Sequence, residues 1–435
     1  MSANRGPRAG SEGATRAPDL AGVPLSAVLP ALQRIEPHAR ACWAYDLDAL
    51  ERRARRFQSA FAALSPLVAY ALKANVLPAL IERARGAGLG AESGSIGELV
   101  IAARAGFGAA ARVLNGNGRT LEEAAWAARE GVALVNADSI AELDVLQSAA
   151  AREGSTLRVA LRVNPGIETP GHRYVSTGGE QAKFGIAAGD ALEAWAARAR
   201  WPQLALDGVH LHVGSQLAEP APLARSLEVA VELAEESARR AAPLSLVNLG
   251  GGFGVDYGAG AEFPLEAWAR RLAERTRRLN FSWVLEPGRW MVAPVGVLIA
   301  EVLWVKRRGD RSFVVLAAGM NDLIRPALYR AAHRIVPLEP REGAPERVTV
   351  VGPVCESADV FAEDVVLPPL RRGDAVALLD AGAYGASMSS NYNGRGRLAE
   401  VVASAGRLRR ARAGETAEDL ARRDTDDALP PGPVT

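Results

Sequence analysis

The sequence predicts an α/β fold, a (β/α)8 barrel of the TIM type, followed by a C-terminal all-β domain. Short apolar runs alternate with longer amphipathic stretches over the first two thirds of the chain, which is the pattern of parallel strands joined by helices. Eight such runs can be distinguished, and eight is the strand number of this barrel. From about Met291 onward, strand-like runs follow one another without helices between them. The 435 residues suit a barrel of roughly 250 residues and one further domain.

The eight barrel strands are predicted from apolar, often β-branched segments that are bounded by turn residues. In chain order they are Leu67–Asn75, Leu89–Ser93, Ala111–Asn117, Ala133–Asp138, Leu157–Pro165, Leu206–Ser215, Leu244–Gly252 and Phe281–Arg289. Helical stretches separate them. The helix after the fourth strand is predicted to have Asp138 as its N-cap and Glu142 in its first turn.

The remaining segments complete an organisation in four parts. Residues 1–40 form an N-terminal tail and lead-in, 41–290 the barrel, 291–412 the second domain, and 413–435 a polar, proline-rich tail that we expect to be disordered. The second domain is predicted from the strand-like runs VGVLIAEVLWVKRR, RSFVVLAAG, ERVTVVGPV, VVLPPL and AVALLDAGAYGA.

Composition narrows the class of protein. With 49% hydrophobic and 23% charged residues the chain is globular, and a net charge of +1 gives no field that would gather nucleic acid or anionic lipid. The longest apolar segment, Trp290 to Val305, is broken by Pro294 and Glu301, and the first twenty residues do not resemble a signal peptide. We therefore expect a cytoplasmic protein without nucleic-acid or membrane partners. Two cysteines are too few for a disulfide framework.

Lysine is rare in this chain. Only three of the 51 basic residues are lysines, namely Lys73, Lys183 and Lys306. Because arginine supplies nearly all positive charge, a retained lysine can mark an amine that must lose its proton and attack a carbonyl carbon. Lys73 ends the first predicted strand, where partial burial would lower the pKa of its ammonium. A surface or ion-pair role is the alternative, and for this residue taken alone it is favoured.

The ends of the other strands change that balance, because function in such a barrel is located where the strands end. After the seventh strand, Gly250, Gly251 and Gly252 would allow backbone N–H groups to approach a phosphate; the alternative is a turn used for close packing. After the eighth strand, Glu286 could face the pyridine nitrogen of pyridoxal 5′-phosphate (PLP). Arg289 could bind phosphate or a carboxylate.

The sixth strand ends in HLHVGSQ. We expect one of His210 and His212 to face the barrel interior and stack on the cofactor ring, and the Ser215 hydroxyl to bind phosphate. A zinc site is the rival, but no third ligand lies at a suitable spacing, so no metal is predicted. A histidine satisfied within the core is the other alternative.

Three segments of the second domain also carry reactive residue types. Cys355 and Glu356 lie in a Gly/Pro turn of the kind that can carry function. The segments GMNDLIRPALY and GAYGASMSSNYNGRGR combine arginines and tyrosines with turn residues. An ordinary buried thiol, a solvated acid and tyrosines packed in surface turns are the alternatives.

Together these segments resemble the PLP-dependent decarboxylases built on an alanine-racemase-type barrel, the ornithine/diaminopimelate/arginine decarboxylase group, and most closely the diaminopimelate decarboxylase family. The resemblance extends from about Cys42 to Val402. It rests on the ordered motifs YALKAN, SIGEL, LRVNPG, HRYVSTGGEQAKFG, HLHVGSQ, LGGGFG, EPGR, GMNDLIRPALY, GPVCESAD and GAYGASMSSNYN.

The resemblance implies a role for each motif. Lys73 would carry PLP as a Schiff base, His212 would stack on its ring and Glu286 would pair with its pyridine nitrogen. The implied cofactor-binding residues are Lys73, His212, Ser215, Gly250, Gly251, Gly252, Glu286, Arg289 and Tyr384. The implied substrate-binding residues are Arg289, Arg325, Tyr329, Glu356 and Tyr384. The implied catalytic residues are Lys73, His212, Glu286 and Cys355.

The activity implied is the removal of CO₂ from meso-2,6-diaminopimelate to give L-lysine, with Cys355 as the proton donor. The ammonium at the distal end of this substrate suits Glu356, and the carboxylate suits Arg325 with Arg289. In the family, the Cys and Glu of this loop reach into the active site of the partner subunit, so a homodimer with shared sites is implied.

Three positions depart from the family pattern, and alternatives to this function stay open. Ala317 stands where Asp is usual, Ile96 where Gly is usual and Gly396 where Pro is usual. A related decarboxylase acting on a D-amino acid, ornithine, lysine or a carrier-bound aminoacyl group is the nearest alternative. A racemase is less favoured, because Glu286 would make the ring a strong electron sink. A non-catalytic regulatory relative would be expected to have lost its reactive Lys or Cys.

Overall fold

The computed structural model describes residues 18–168, 183–258, 260 and 262–422. Most of the HRYVSTGGEQAKFG motif, from His172 to Ala182, lies outside the described residues, as do residues 1–17 and 423–435 of the two tails. A closed barrel of eight parallel strands is followed by a nine-stranded sheet, which confirms the predicted fold class. Among the described residues, no helix is long and apolar enough to cross a bilayer.

The described chain begins with a short lead-in before the barrel. Its elements are β1 (Asp19–Leu20), β2 (Val23–Pro24), α1 (Leu25–Gln33), β3 (Ala41–Asp46) and α2 (Leu47–Ala60). The Asp46 side chain accepts a hydrogen bond from the Ala49 N–H at 2.7 Å, and this cap fixes the point where strand β3 turns into helix α2.

The barrel contains all eight predicted strands. They are β4 (Leu67–Ala71), β5 (Gly90–Ser93), β6 (Arg112–Leu114), β7 (Leu134–Ala137), β8 (Leu157–Arg162), β9 (Leu204–His210), β10 (Leu246–Asn248) and β11 (Ser282–Leu285). The helices between them are α3 (Pro78–Gly86), α4 (Ile96–Arg104), α5 (Leu121–Glu130), α6 (Ala141–Glu153), α7 (Ala188–Ala196), α8 (Ala221–Arg239) and α9 (Leu265–Thr276). Strand β11 pairs with β4 and closes the ring.

Polar caps begin several of these helices, but one predicted cap is wrong. Thr120 and Glu123 form a reciprocal capping box at the start of α5. Helix α6 begins at Ala141 without a side-chain cap, and Asp138 lies two residues before the N-cap position, which Ile140 occupies. The Asp138 carboxylate instead faces Arg162, 3.4 Å away, while its backbone N–H donates to Glu142.

The second domain consists mainly of one sheet. Its strands are β12 (Gly296–Arg308), β13 (Arg311–Leu316), β14 (Ile335–Pro337), β15 (Glu346–Val351), β16 (Val360–Leu367), β17 (Ala375–Leu378), β18 (Glu400–Ser404) and β19 (Arg407–Arg412). The short helices α10 (Arg289–Val292), α11 (Arg325–Tyr329) and α12 (Ala417–Ala421) complete the described chain. Four of the five predicted runs contain one of these strands, and VVLPPL overlaps only the last three residues of β16. Strands β14, β18 and β19 were not predicted.

Strand β3 lies outside the barrel, although the sequence analysis places residues from 41 onward in it. It runs between β12 and β18 in the second sheet. Its residues alternate between two cores: Trp43 and Tyr45 face the main core, and Cys42 and Ala44 face a small core covered by helix α1. The lead-in is thus part of the second domain, because strand β3 pairs with β12 and β18 and helix α1 covers the same sheet. Helix α12 likewise lies within the segment expected to be disordered.

Candidate active site

The barrel strands place a layer of polar side chains directly above an apolar one. The apolar layer inside the barrel contains Ala69, Val113, Leu134, Ala160, Leu246 and Val284. Side chains two positions apart on a strand point the same way. Two positions further along the same strands come the polar residues Asn115, Asn136, Arg162, Asn248 and Glu286, with Ala71 as the one apolar member of this set. This arrangement is the physical reason why polar residues from distant parts of the chain meet at the barrel mouth.

Glu286 is held in this layer by three amide groups. The side-chain Nδ2 atoms of Asn248, Asn115 and Asn136 donate to its carboxylate at 2.7, 3.1 and 3.3 Å. Burial, together with the nearby carboxylate of Glu92, raises the pKa of Glu286 to about 7. A carboxyl group in this position is fixed in orientation and can share a proton with a nitrogen base.

Lys73 lies in a short turn, Leu72–Ala74, directly after β4. Its Nζ atom is 2.9 Å from Oε2 of Glu92, and half of the side chain is exposed at the barrel mouth. Burial of the ammonium acts to lower the pKa of Lys73, but Glu92, Tyr384 and Glu286 together outweigh it and raise that pKa above its usual value. The expected lowering of the Lys73 pKa is therefore wrong for the free protein, because the sequence analysis did not place an acid beside this amine.

Both histidines of the HLHVGSQ motif face the barrel interior, whereas one was expected to do so. They are two positions apart and so point the same way. His210 is buried, with Nε2 3.7 Å from Oε2 of Glu286. His212 lies nearer to the barrel mouth, where its Nδ1 accepts the Gly251 N–H at 3.2 Å. Burial, with Arg162 and Lys73 nearby, lowers the pKa of His212 to about 3, so this ring is neutral and carries its proton on Nε2.

The glycine loop after β10 is shaped by close contacts. A Cβ atom on Gly251 would lie 2.3 Å from the Glu286 carbonyl oxygen, and one on Gly252 would lie 2.6 Å from the Gly214 carbonyl oxygen. Gly250 has φ +63° and would place a Cβ atom 2.6 Å from Nδ1 of His212. Glycine is thus required at all three positions.

The sequence predicts that the backbone N–H groups of this loop are free to bind phosphate. In the structure, two of the three already donate to other groups. The Gly250 N–H donates to Oδ1 of Asn248 at 2.8 Å, and the Gly251 N–H donates to His212. The Gly252 end of the loop, beside Ser215 and Arg289, is the part that remains suited to an anion.

Two buried guanidinium groups lie near this loop. Arg289 is 8% exposed and Arg325 is 4% exposed. Arg289 donates from Nε and Nη2 to the Ser215 hydroxyl at 3.3 and 3.1 Å, and from Nη1 to the Tyr257 hydroxyl at 3.0 Å. Within the described ranges, neither arginine forms an ion pair with an acid. Buried cations whose partners are neutral form a site for an anionic ligand, because an unpaired buried charge is costly.

Two tyrosines of the second domain also approach the barrel mouth. The Tyr384 N–H donates to the Ala74 carbonyl oxygen at 2.8 Å, and its ring centroid lies 4.8 Å from the Arg289 guanidinium carbon. Tyr384 has φ +56°, a strained conformation that this contact holds in place. Tyr329 ends helix α11 and lies near enough to Arg289 to affect its pKa.

Cys355 and Glu356 are not brought to this site within the chain. Both residues are exposed, and in the part of the chain that the structure describes their side chains form no hydrogen bond or ion pair with a barrel residue. Their loop is nevertheless well anchored, because the Asp359 carboxylate accepts the N–H groups of Val354 and Met320, both at 2.7 Å.

Ala317, which stands where the family usually has Asp, forms its hydrogen bonds within the second domain. Its carbonyl oxygen accepts a hydrogen bond from Nη2 of Arg395 at 3.3 Å, and its N–H donates to the Glu301 carbonyl oxygen. The usual carboxylate is absent at this position, and the hydrogen bonds of Ala317 are made by its backbone.

Several site residues were missed by the sequence analysis. Glu92, Asn136 and Asn248 carry the same signal as Lys73, a polar residue at the end of an apolar strand, and could have been found by it. Tyr257 and His333 lie in irregular segments, where no periodicity marks them.

Comparison with known proteins agrees with this geometry. The family model described as "Pyridoxal-dependent decarboxylase, pyridoxal binding domain" matches residues 47–293. A diaminopimelate decarboxylase of Neisseria meningitidis serogroup A is 41% identical over 86% of this chain and 92% of its own length. A diaminopimelate decarboxylase of Pseudomonas aeruginosa is 38% identical over 90% of this chain and 94% of its own length.

A solved structure is similar over nearly the whole chain. The crystal structure of diaminopimelate decarboxylase from Helicobacter pylori complexed with L-lysine has a TM-score of 0.86 and 34% sequence identity, and it covers 90% of this chain and 98% of its own.

Proposed function

The chain belongs to the pyridoxal-dependent decarboxylases, and within them to the diaminopimelate decarboxylase family, and from that membership we propose that it decarboxylates meso-2,6-diaminopimelate to L-lysine with PLP as its cofactor. The observation that carries the proposal is the pair of buried arginines that form no ion pair with an acid of the described residues, at the same barrel mouth as a lysine and a proton-sharing carboxyl group. An amino-acid substrate with a second carboxylate, and a cofactor with a phosphate, are the anions that such a site requires.

The residues at the barrel mouth fit PLP. Lys73 would bond to it covalently, and Glu286 would hold a proton at the pyridine nitrogen. Arg289 and Ser215, with the Gly252 end of the glycine loop, would bind the phosphate, and the neutral His212 ring would lie against the cofactor. When bound, PLP supplies an electron sink for the pair of electrons that CO₂ leaves behind.

The substrate-binding residues act by orientation. Arg325 would bind the distal carboxylate, assisted by Tyr329, and Tyr384 would lie over the reacting end. The raised pKa of Lys73 matters here, because the amine must lose its proton to water before it can bond to PLP, and the Glu92 carboxylate opposes that loss. Bound cofactor and substrate would displace water from the barrel mouth. Electrostatic contacts there would then be stronger than they are in solution.

We further propose that the enzyme is a homodimer in which Cys355 and Glu356 serve the partner's active site. Their exposure, on a loop that Asp359 fixes, is what supports this arrangement. Cys355 would donate the proton that replaces CO₂, and Glu356 would bind the distal ammonium. The cytoplasmic location expected from the sequence stays a prediction.

Incubation of the purified protein and PLP with meso-diaminopimelate tests the function. We expect equal amounts of CO₂ and L-lysine, with no turnover by the Lys73→Ala variant. L-Ornithine, L-lysine and D-lysine serve as comparison substrates, and chiral analysis of recovered substrate detects racemisation. Turnover confined to one of those amino acids, or racemisation without CO₂, would replace the proposed substrate or reaction.

A further inference from the structure

Arg325 has unusual surroundings for a buried cation. Its Nη1 donates to Nε2 of His333 at 2.9 Å, and its guanidinium carbon lies 4.7 Å from the centroid of the Tyr257 ring. Its buried Nε atom has no hydrogen-bond acceptor among the described residues. Both partners are neutral, so they orient the guanidinium without cancelling its charge.

The hydrogen bonds of His333 fix its tautomer. Its Nδ1 lies 2.9 Å from the Leu379 carbonyl oxygen, which can only accept, so Nδ1 carries the proton and Nε2 presents its lone pair to Arg325. Burial, together with Arg325, lowers the pKa of His333 to about 3. The imidazole therefore stays neutral, as an acceptor facing a guanidinium must.

His333 and Tyr257 together form a rigid support for the two arginines. The rings meet edge to face with centroids 5.4 Å apart. The Tyr257 face lies against Arg325, while its hydroxyl accepts from Arg289. The two guanidinium groups are thus fixed relative to each other, and Arg325 retains donors for a planar anion.

We propose that His333 is a positioning residue that determines specificity for the substrate's distal carboxylate by fixing the Arg325 guanidinium. This inference rests on the proposed function and adds to it a residue that does not touch the substrate. It applies also to L-lysine, which keeps the distal carboxylate after CO₂ has left. Cadaverine is lysine without its carboxylate, so it needs no contact with Arg325.

Two amide variants separate the two hydrogen bonds of His333. Asn has its amide at the position of Nδ1, so His333→Asn keeps the bond to Leu379 and loses the one to Arg325. Gln extends to the position of Nε2, so His333→Gln restores an acceptor for Arg325. The visible absorbance of bound PLP first verifies that each variant is a holoenzyme; if His333→Asn does not retain PLP, His333→Ala replaces it with the same expectation.

Inhibition of meso-diaminopimelate turnover by L-lysine and by cadaverine is then measured. We expect His333→Asn to weaken inhibition by L-lysine about 10-fold, the loss expected for a hydrogen bond to a charged group, and to leave cadaverine unchanged. KM for meso-diaminopimelate should rise by a similar factor while kcat changes little, because the contact is made equally before and during the reaction. His333→Gln should behave like the native enzyme in both measurements.

An equal loss for both inhibitors, or no loss for either, would overturn the role of His333. Failure of the native enzyme to turn over meso-diaminopimelate would instead refute the proposed function, so the two failures are distinguishable.

Discussion

At the scale of single residues, the charge pair of Lys73 and Glu92 controls how readily the amine can react. The 2.9 Å contact raises the pKa of Lys73 and so lowers the fraction of neutral amine at pH 7.5. We expect Glu92→Gln to lower that pKa and to speed the covalent capture of PLP by the apoprotein, about 10-fold for each unit of pKa. Stopped-flow absorbance measures this rate. Glu82→Gln on the exposed face of helix α3 is the control; a Glu92→Gln rate equal to or below it would contradict the pair's role.

Residues that directly follow an apolar barrel strand could be found from the sequence. The groups that they contact in the folded protein could not. Lys73, Glu286 and His212 each follow an apolar strand, so their place at the barrel mouth could be predicted. The pKa of Lys73 could not, because it depends on Glu92 in the neighbouring strand. Which groups face each other across a barrel depends on strand register, and register is a property of the folded sheet.

At the scale of elements, the loop after β10 is positioned by glycines that touch neighbouring backbone. In Gly251→Ala, the added methyl group would lie 2.3 Å from the Glu286 carbonyl oxygen and would push the loop away from β11. We expect the affinity for PLP to fall at least about 10-fold, since Ser215 and Arg289 would no longer meet the loop. Equilibrium dialysis measures this. Gly86→Ala, where a Cβ atom meets nothing within 4 Å, should leave PLP affinity unchanged; equal affinities for all three proteins would show that the loop tolerates the group.

The turn after β13 contains another buried acid, Asp322. Its carboxylate accepts the Gly319 N–H at 2.9 Å, but burial dominates and raises the pKa of Asp322 from 3.8 to about 7. A folded-state pKa above the unfolded value stabilises the protein at low pH, and this stability is lost as pH rises toward 7. We expect the melting temperature of Asp322→Asn to fall less than that of the native protein between pH 5 and 8, by roughly 2–4 °C. Calorimetry of the apoproteins measures it, with Asp310→Asn in an exposed turn as the control. Parallel curves would argue against the raised pKa.

Elements outside the barrel were predicted less completely, for a physical reason. Strand β3 is a short apolar run, and such a run has the same pattern whether it joins a barrel or a sheet. Its partners β12 and β18 lie more than 250 residues further along the chain. Strand β19 is rich in arginine, as suits the exposed edge of a sheet, and its polarity conceals it from a search for apolar runs.

At the scale of the whole molecule, the described chain does not bring all of the proposed catalytic residues together. Lys73 lies at the barrel mouth, whereas Cys355 is exposed on the second domain and Cys42, the other cysteine, is fully buried under helix α1. If subunits exchange these parts, Lys73→Ala and Cys355→Ala proteins are each inactive for a different reason. Together they can form a dimer in which one site has both native residues.

Mixing the two variants after dissociation and reassociation tests this arrangement. Random pairing makes half of the dimers mixed, with one complete site in two, so about 25% of native activity should appear. A mixture of Lys73→Ala with the double variant Lys73→Ala, Cys355→Ala should stay inactive, and Cys42→Ser should be active alone because that thiol is remote from the barrel mouth. If native mass spectrometry detects mixed dimers but no activity returns, Cys355 acts within its own subunit, and its loop must then move to reach Lys73.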